Sequence, residues 1–152
     1  MAKGIEVNIS KLEDFIKAMK GNPKARVGIM GDSDHRDDGL SNATIGAIHE
    51  FGHGVPQRSF LRVPLIDGLN EAVKDSITPD DLTAIVDNKS LVPLIRKIGI
   101  VAEEVVGKAF DTGGNGKWPK WTTPGYKNLT GKLLVDTQQL RNSITSVVVD
   151  DE

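Results

Sequence analysis

The sequence predicts an α+β domain: a small antiparallel or mixed sheet packed with several helices and carrying long exposed loops. Three observations predict it. Apolar residues alternate with polar ones in short runs towards both ends of the chain, as in half-buried strands. Between those runs apolar residues recur at three- and four-residue steps, as on helices with one buried face. Two stretches, at about 31–41 and 111–131, are rich in Gly with Asp, Lys or Pro, hold few apolar residues and read as extended loops. A length of 152 residues suits one domain over 1–152 with a real core.

In order along the chain, Ile5, Val7 and Ile9 alternate with polar residues and suggest a short strand. Ser10 is a good N-cap for a helix over Lys11–Lys20, with Leu12, Phe15, Ile16 and Met19 at helical spacing. Gly21-Asn22-Pro23 closes it, and Ala25–Met30 reads as a strand through Val27 and Ile29. Ser41 or Asn42 caps a short helix whose apolar arc is Ala43, Ile45, Ala47, Ile48 and Phe51, with Asn42, His49 and His53 opposite. A Gly-Val-Pro turn leads to a helix from near Ser59 to Ser76, with Pro64 in its first turn. Thr78-Pro79-Asp80-Asp81 starts the next: a threonine cap, proline at the first position, then two acids at the positive end of the dipole. Leu91–Phe110 is the clearest helix, with Leu91, Leu94, Ile98, Val101, Val105 and Ala109 along one stripe. Asp136 caps a short helix over Thr137–Asn142, and Ile144–Val149 is a closing strand.

Composition removes several function classes. With no cysteine there are no disulfides and no thiolate metal sites. No apolar run approaches the roughly 18 residues that cross a bilayer, and the first residues carry no apolar signal core, so a soluble intracellular chain without membrane contact is expected. A net charge of −2 makes no electrostatic case for wrapping nucleic acid.

The sharpest motif is His49-Glu50-Phe51-Gly52-His53, the H-E-x-x-H string of zinc hydrolases. On a helix its two histidines share a face and reach one Zn²⁺, while the glutamate activates a bound water. Context argues against that chemistry here. Gly52, Gly54 and Pro56 stop the helix near Phe51, which takes His53 off the shared face. The compact pattern needs a third histidine where Ser59 stands, leaving Glu71 as the substitute ligand. The expectation is therefore no catalytic residue, no metal and no cofactor, with Glu50→Gln leaving function nearly intact. A zinc metallopeptidase using His49, His53 and Glu71, with Glu50 as base, is the alternative.

Other motifs are weaker. Gly113-Gly114-Asn115-Gly116-Lys117 fails the phosphate-loop pattern, since Thr112 and Trp118 occupy required Gly and Ser/Thr places and the loop leaves a helix. Asp32, Asp34, Asp37 and Asp38, with His35, lack the glycine and glutamate of a calcium loop. Trp118 and Trp121, beside Lys117, Lys120 and Lys127, suit a single-stranded nucleic-acid platform or a protein interface, so a nucleic-acid-binding module is a third reading. Arg58 and Phe60 follow the Gly-Val-Pro turn. With Trp118 and Trp121 they are the expected protein-interface anchors, projecting from the edge of the fold. Phe60 in the core is the competing reading.

Three segments together resemble a known family: Val27-Gly28-Ile29, Asn42–Arg62 (NATIGAIHEFGHGVPQRSFLR) and Leu133–Thr145 (LLVDTQQLRNSIT). They look like the small virion-morphogenesis proteins of tailed bacteriophages. In that family a short helix ends in Glu-Phe-Gly. An Ile/Val-Pro-x-Arg-x-Phe loop follows, here Val55 to Phe60. Leu-x-Asp-Thr-Gly-x-Leu-x-x-Ser-Ile comes near the C-terminus, here Leu134 to Ile144, with Gln138 in the glycine place. The resemblance implies a structural subunit of a neck or tail-completion ring, assembled in the host cytoplasm and residing in the virion. Its implied partners are other copies of itself, six or twelve, and neighbouring neck, connector or tail-tube proteins. DNA would pass through the lumen without sequence-specific binding, and a mildly acidic chain suits that passage.

Overall fold

Two strands from opposite ends of the sequence meet in one antiparallel pair, and six helices surround it among the described residues. The computed structural model describes residues 10–18, 20–31, 39–120, 134 and 138–150. The strand expected at Ile5–Ile9, the acidic loop at Asp32–Asp38, the Asp136 cap and Trp121 lie outside them. The element order is α1 (Ser10–Ala18), β1 (Pro23–Ile29), α2 (Asn42–Phe51), α3 (Arg62–Ser76), α4 (Pro79–Asn88), α5 (Val92–Thr112), α6 (Gln139–Asn142) and β2 (Ile144–Asp150). This is an α+β domain with a small antiparallel sheet, as the sequence predicts.

The helices begin and end where local chemistry dictates. Ser41 caps α2 by accepting the Thr44 N–H, and Gly52 ends it in the left-handed conformation at φ 75°. Thr78 and Asp81 form a reciprocal capping box at the start of α4, with Pro79 in the first turn. In α5, Pro93 sits in the first turn and Gly113, at φ 62°, terminates the helix. That end lies two residues beyond the expected Phe110, so the loop after it starts later than the sequence suggests.

β1 and β2 pair in a register that sets Pro23 opposite Asp150 and Ile29 opposite Ile144. Helix α5 lies across both strands. Gly99 lets it approach closely, because a Cβ there would stand 2.8 Å from Ser146 Oγ and 3.6 Å from Ala25 Cβ. The core gathers Phe60, Val106, Ala109, Phe110, Trp118, Leu134 and Leu140, with Ile29, Ile45, Leu61, Leu65 and Ile144 packed around it. The Phe60 and Phe110 rings stand 5.1 Å apart, and Trp118 meets Phe110 edge-on at 5.8 Å. Truncating a buried ring of this kind costs about 3–5 kcal/mol.

Helix α2 departs from the expected phase, although Ile45 of the expected arc does pack on the core. Its buried face is Asn42, Gly46 and Glu50, whereas Ala43, Ala47 and Phe51 point outward. Gly46 explains part of this: a Cβ there would meet Ile29 Cδ1 at 2.9 Å and Phe60 Cζ at 3.3 Å. The helix backbone itself packs on the core at this point. The rest of the reason lies in Glu50.

Candidate functional site

The site that the sequence singles out is built around the Glu50 carboxylate. It projects from the last turn of α2 into the start of α3 and is 6% exposed. Oε1 accepts the Ser59 hydroxyl at 2.6 Å and the Arg62 N–H at 3.1 Å. Oε2 accepts the backbone N–H groups of Phe60 and Leu61, both at 3.0 Å. These are donors at the positive end of α3, which has no side-chain cap of its own because its N-cap residue is Leu61. Ser59 Oγ in turn accepts the Val63 N–H at 3.0 Å. Glu50 from the helix before it, and Ser59 from the turn between, thus cap α3.

Three further bonds hold the intervening turn. Gln57 Nε2 donates to the Glu50 carbonyl at 2.9 Å, and the Arg58 N–H donates to the His49 carbonyl at 2.8 Å. The His53 N–H donates to Ile48 O at 3.0 Å, inside the αL turn at Gly52. His53 is consequently off the helix and exposed, its ring tilted at 57° to that of Phe51 with the centroids 6.3 Å apart. His49 is half-buried, and its Nδ1 has no hydrogen-bond partner. Burial, and after it the Arg58 guanidinium, push the His49 imidazole below its ordinary pKa. Glu71 stands on the surface of α3, paired with Lys74 at 2.9 Å. Among the described residues no three His, Cys, Asp or Glu side chains are grouped to hold a metal ion. The Glu50 oxygens are engaged by four protein donors, so neither is presented as a base to a bound water.

The expected interface anchors require a correction. Arg58 is 1% exposed and does not project from the edge of the fold. Its Nε donates to the Pro119 carbonyl at 2.9 Å and Nη2 to the Lys120 carbonyl at 3.0 Å, fastening the segment after α5 to the turn after α2. Burial lowers its pKa. Phe60 is core, at 2% exposed. Trp118 is buried as well, its indole N–H donating to the Ser59 carbonyl at 3.1 Å. The Gly-rich stretch before it is a string of hydrogen-bonded turns, not a free loop: Gly114, Gly116 and Trp118 donate back to Ala109, Thr112 and Gly113. Gly114 is required there, since its φ is 65° and a Cβ would lie 2.3 Å from the indole. The partner surface that Trp118 wants is therefore its own chain.

What the anchor reasoning missed is the outward side of α2 and α3. Phe51 of α2 is 57% exposed, and on α3 Ile66 is 74% and Val63 39% exposed. The Arg62 guanidinium lies 5.9 Å over the Phe51 ring. The signal of this outward side in the sequence is the Ala43-Ala47-Phe51 stripe, whose apolar spacing reads equally as a core face.

The three segments that carry the phage resemblance meet in space. A Cβ at Gly46 of α2 would stand within 3.5 Å of Ile29 of β1, Phe60 of the turn and Leu140 of α6. Gln138, in the glycine place of the third segment, adopts φ 60°. No protein-family model, curated protein or solved structure matches the chain.

Proposed function

We propose that the chain is a structural subunit of a bacteriophage neck or tail-completion ring, joining head and tail around the DNA channel. The observation that carries this reading is the role of Glu50. The one residue that would make the H-E-x-x-H string an enzyme is occupied in tying α2 to α3. That is what the Glu-Phe-Gly string and the loop after it would do in a family that uses them structurally. The outward Phe51, Val63 and Ile66 supply an apolar, arginine-edged face for a neighbouring subunit, replacing Arg58, Phe60 and Trp118 in that role. A ring needs heterologous contacts, so this face would meet a different surface on the next copy.

Electron microscopy of the purified protein, alone and added to phage heads lacking their neck, tests the reading. Rings of six or twelve copies that fail to form when Phe51 and Ile66 are both changed to Glu support it. A stoichiometric zinc, with peptide hydrolysis lost in Glu50→Gln while the fold is retained, would replace it with the metallopeptidase.

A further inference from the structure

We propose that the outer edge of β2 joins two copies of the chain, β2 lying antiparallel on β2 of a second copy about a two-fold axis at Val147. Among the described residues β2 pairs on one side only, with β1. Its sequence from Ile144 to Val149 is Ile-Thr-Ser-Val-Val-Val, without proline, glycine or lysine. Such an edge is a template for another strand unless something blunts it. β1 does carry blunting residues, in Pro23, Lys24 and Arg26.

Geometry favours a second copy as the occupant. Gly99 of α5 meets Ser146 of β2 and Ala25 of β1, so the helix runs above the seam between the strands. Neighbouring strands lie about 4.8 Å apart. Adding β2 of a second copy places the two seams, and the two α5 helices above them, two spacings or about 9.6 Å apart. Helices in contact keep interaxial distances of about 8–10 Å. One translation thus satisfies the strand pair and the helix pair together.

The charges on α5 fit the same axis. Its outward stripe is Arg96, Ile100 and Glu104, spaced four apart and all exposed. A two-fold through Ile100 runs the helices antiparallel. It sets Arg96 against Glu104 of the second copy twice, and Ile100, 49% exposed, against itself. Ile100 and Val147 both line one cavity of about 410 Å³, so the helix stripe and the middle of the strand border the same space. Val147 is the midpoint of Ile144–Asp150, and only a register centred there pairs the whole strand. A strand of about 23 Å and two turns of helix make a small interface, so the dimer dissociates on dilution. A two-fold contact is a different symmetry element from a ring's head-to-tail contact, and it stands whether or not rings form.

The chain has no cysteine, which makes single thiols decisive probes. Under mild oxidation, Val147→Cys should give a disulfide-linked dimer on a denaturing gel. Thr145→Cys alone should not, whereas Thr145→Cys mixed with Val149→Cys should. By sedimentation equilibrium, Glu104→Arg should weaken the wild-type dimer at least tenfold, and adding Arg96→Glu should restore it. Circular dichroism separates loss of association from loss of fold, and the charge-swapped pair keeps the test open if a strand variant misfolds. A wild type that stays monomeric at several hundred micromolar overturns the proposal. So does Thr145→Cys linking to itself as readily as Val147→Cys.

Discussion

The Ser59 hydroxyl donates to the Glu50 carboxylate at 2.6 Å and accepts the Val63 N–H at 3.0 Å, so one small side chain links the end of α2 to the first turn of α3. Ser59→Ala removes both bonds and leaves a buried carboxylate oxygen and a helix N–H short of partners. The expected loss is about 2–3 kcal/mol in urea unfolding at neutral pH, with an unchanged m-value. A loss under about 0.5 kcal/mol, the usual scale of a bland surface change, would mean that the hydroxyl contributes little.

Gln138 stands at φ 60° and is exposed. A side chain in the left-handed region costs roughly 1–2 kcal/mol, while glycine gives back part of that through the unfolded chain. Gln138→Gly is expected to stabilise the protein by about 0.5–1 kcal/mol and raise Tm by a few degrees. A fall in Tm would show that the Gln138 side chain has a stabilising contact.

His49 makes stability depend on pH. Its pKa is lowered in the fold by burial and, secondarily, by Arg58, so the unfolded chain binds its proton first. The contribution of neutral His49 is fully present above the unfolded value, near 6.5, and is lost as pH falls from there towards the lower folded value. His49→Phe should flatten the stability profile in that window. A second, lower window belongs to Asp81. Its carboxyl is held at about 2, first by the Lys97 ammonium and then by Thr78, and its contribution fades as pH falls below the ordinary carboxylate range. Urea titrations at a series of pH values read both.

Much of the framework was legible in the chain because it is locally encoded. The Thr78–Asp81 box, the stop at Gly52 and the long stripe of α5 are written within a few residues of one another. The face of α2 was not legible. Ala43, Ala47 and Phe51 look like a core stripe, but burial follows the Glu50 carboxylate, whose donors arrive nine to twelve residues later. The roles of Arg58 and Trp118 were hidden for the same reason at longer range. Their bonds join the turn after α2 to the segment after α5, about sixty residues away. An arginine beside a turn reads as surface until its carbonyl acceptors are in view.

The glutamate of the H-E-x-x-H string ties α2 to α3 through four hydrogen bonds. The expectation that Glu50→Gln leaves function nearly intact concerns activity, whereas the bonds at Glu50 give the same substitution a cost in stability. Glutamine keeps one acceptor oxygen but turns an amide N–H₂ towards backbone N–H groups that need an acceptor. Equilibrium unfolding of wild type and Glu50→Gln, each with zinc and with a chelator, tests this most directly. The variant should lose about 2–4 kcal/mol, the same with and without zinc, and zinc should have no effect on the wild type. A variant as stable as wild type, beside a wild type that zinc stabilises, would contradict it.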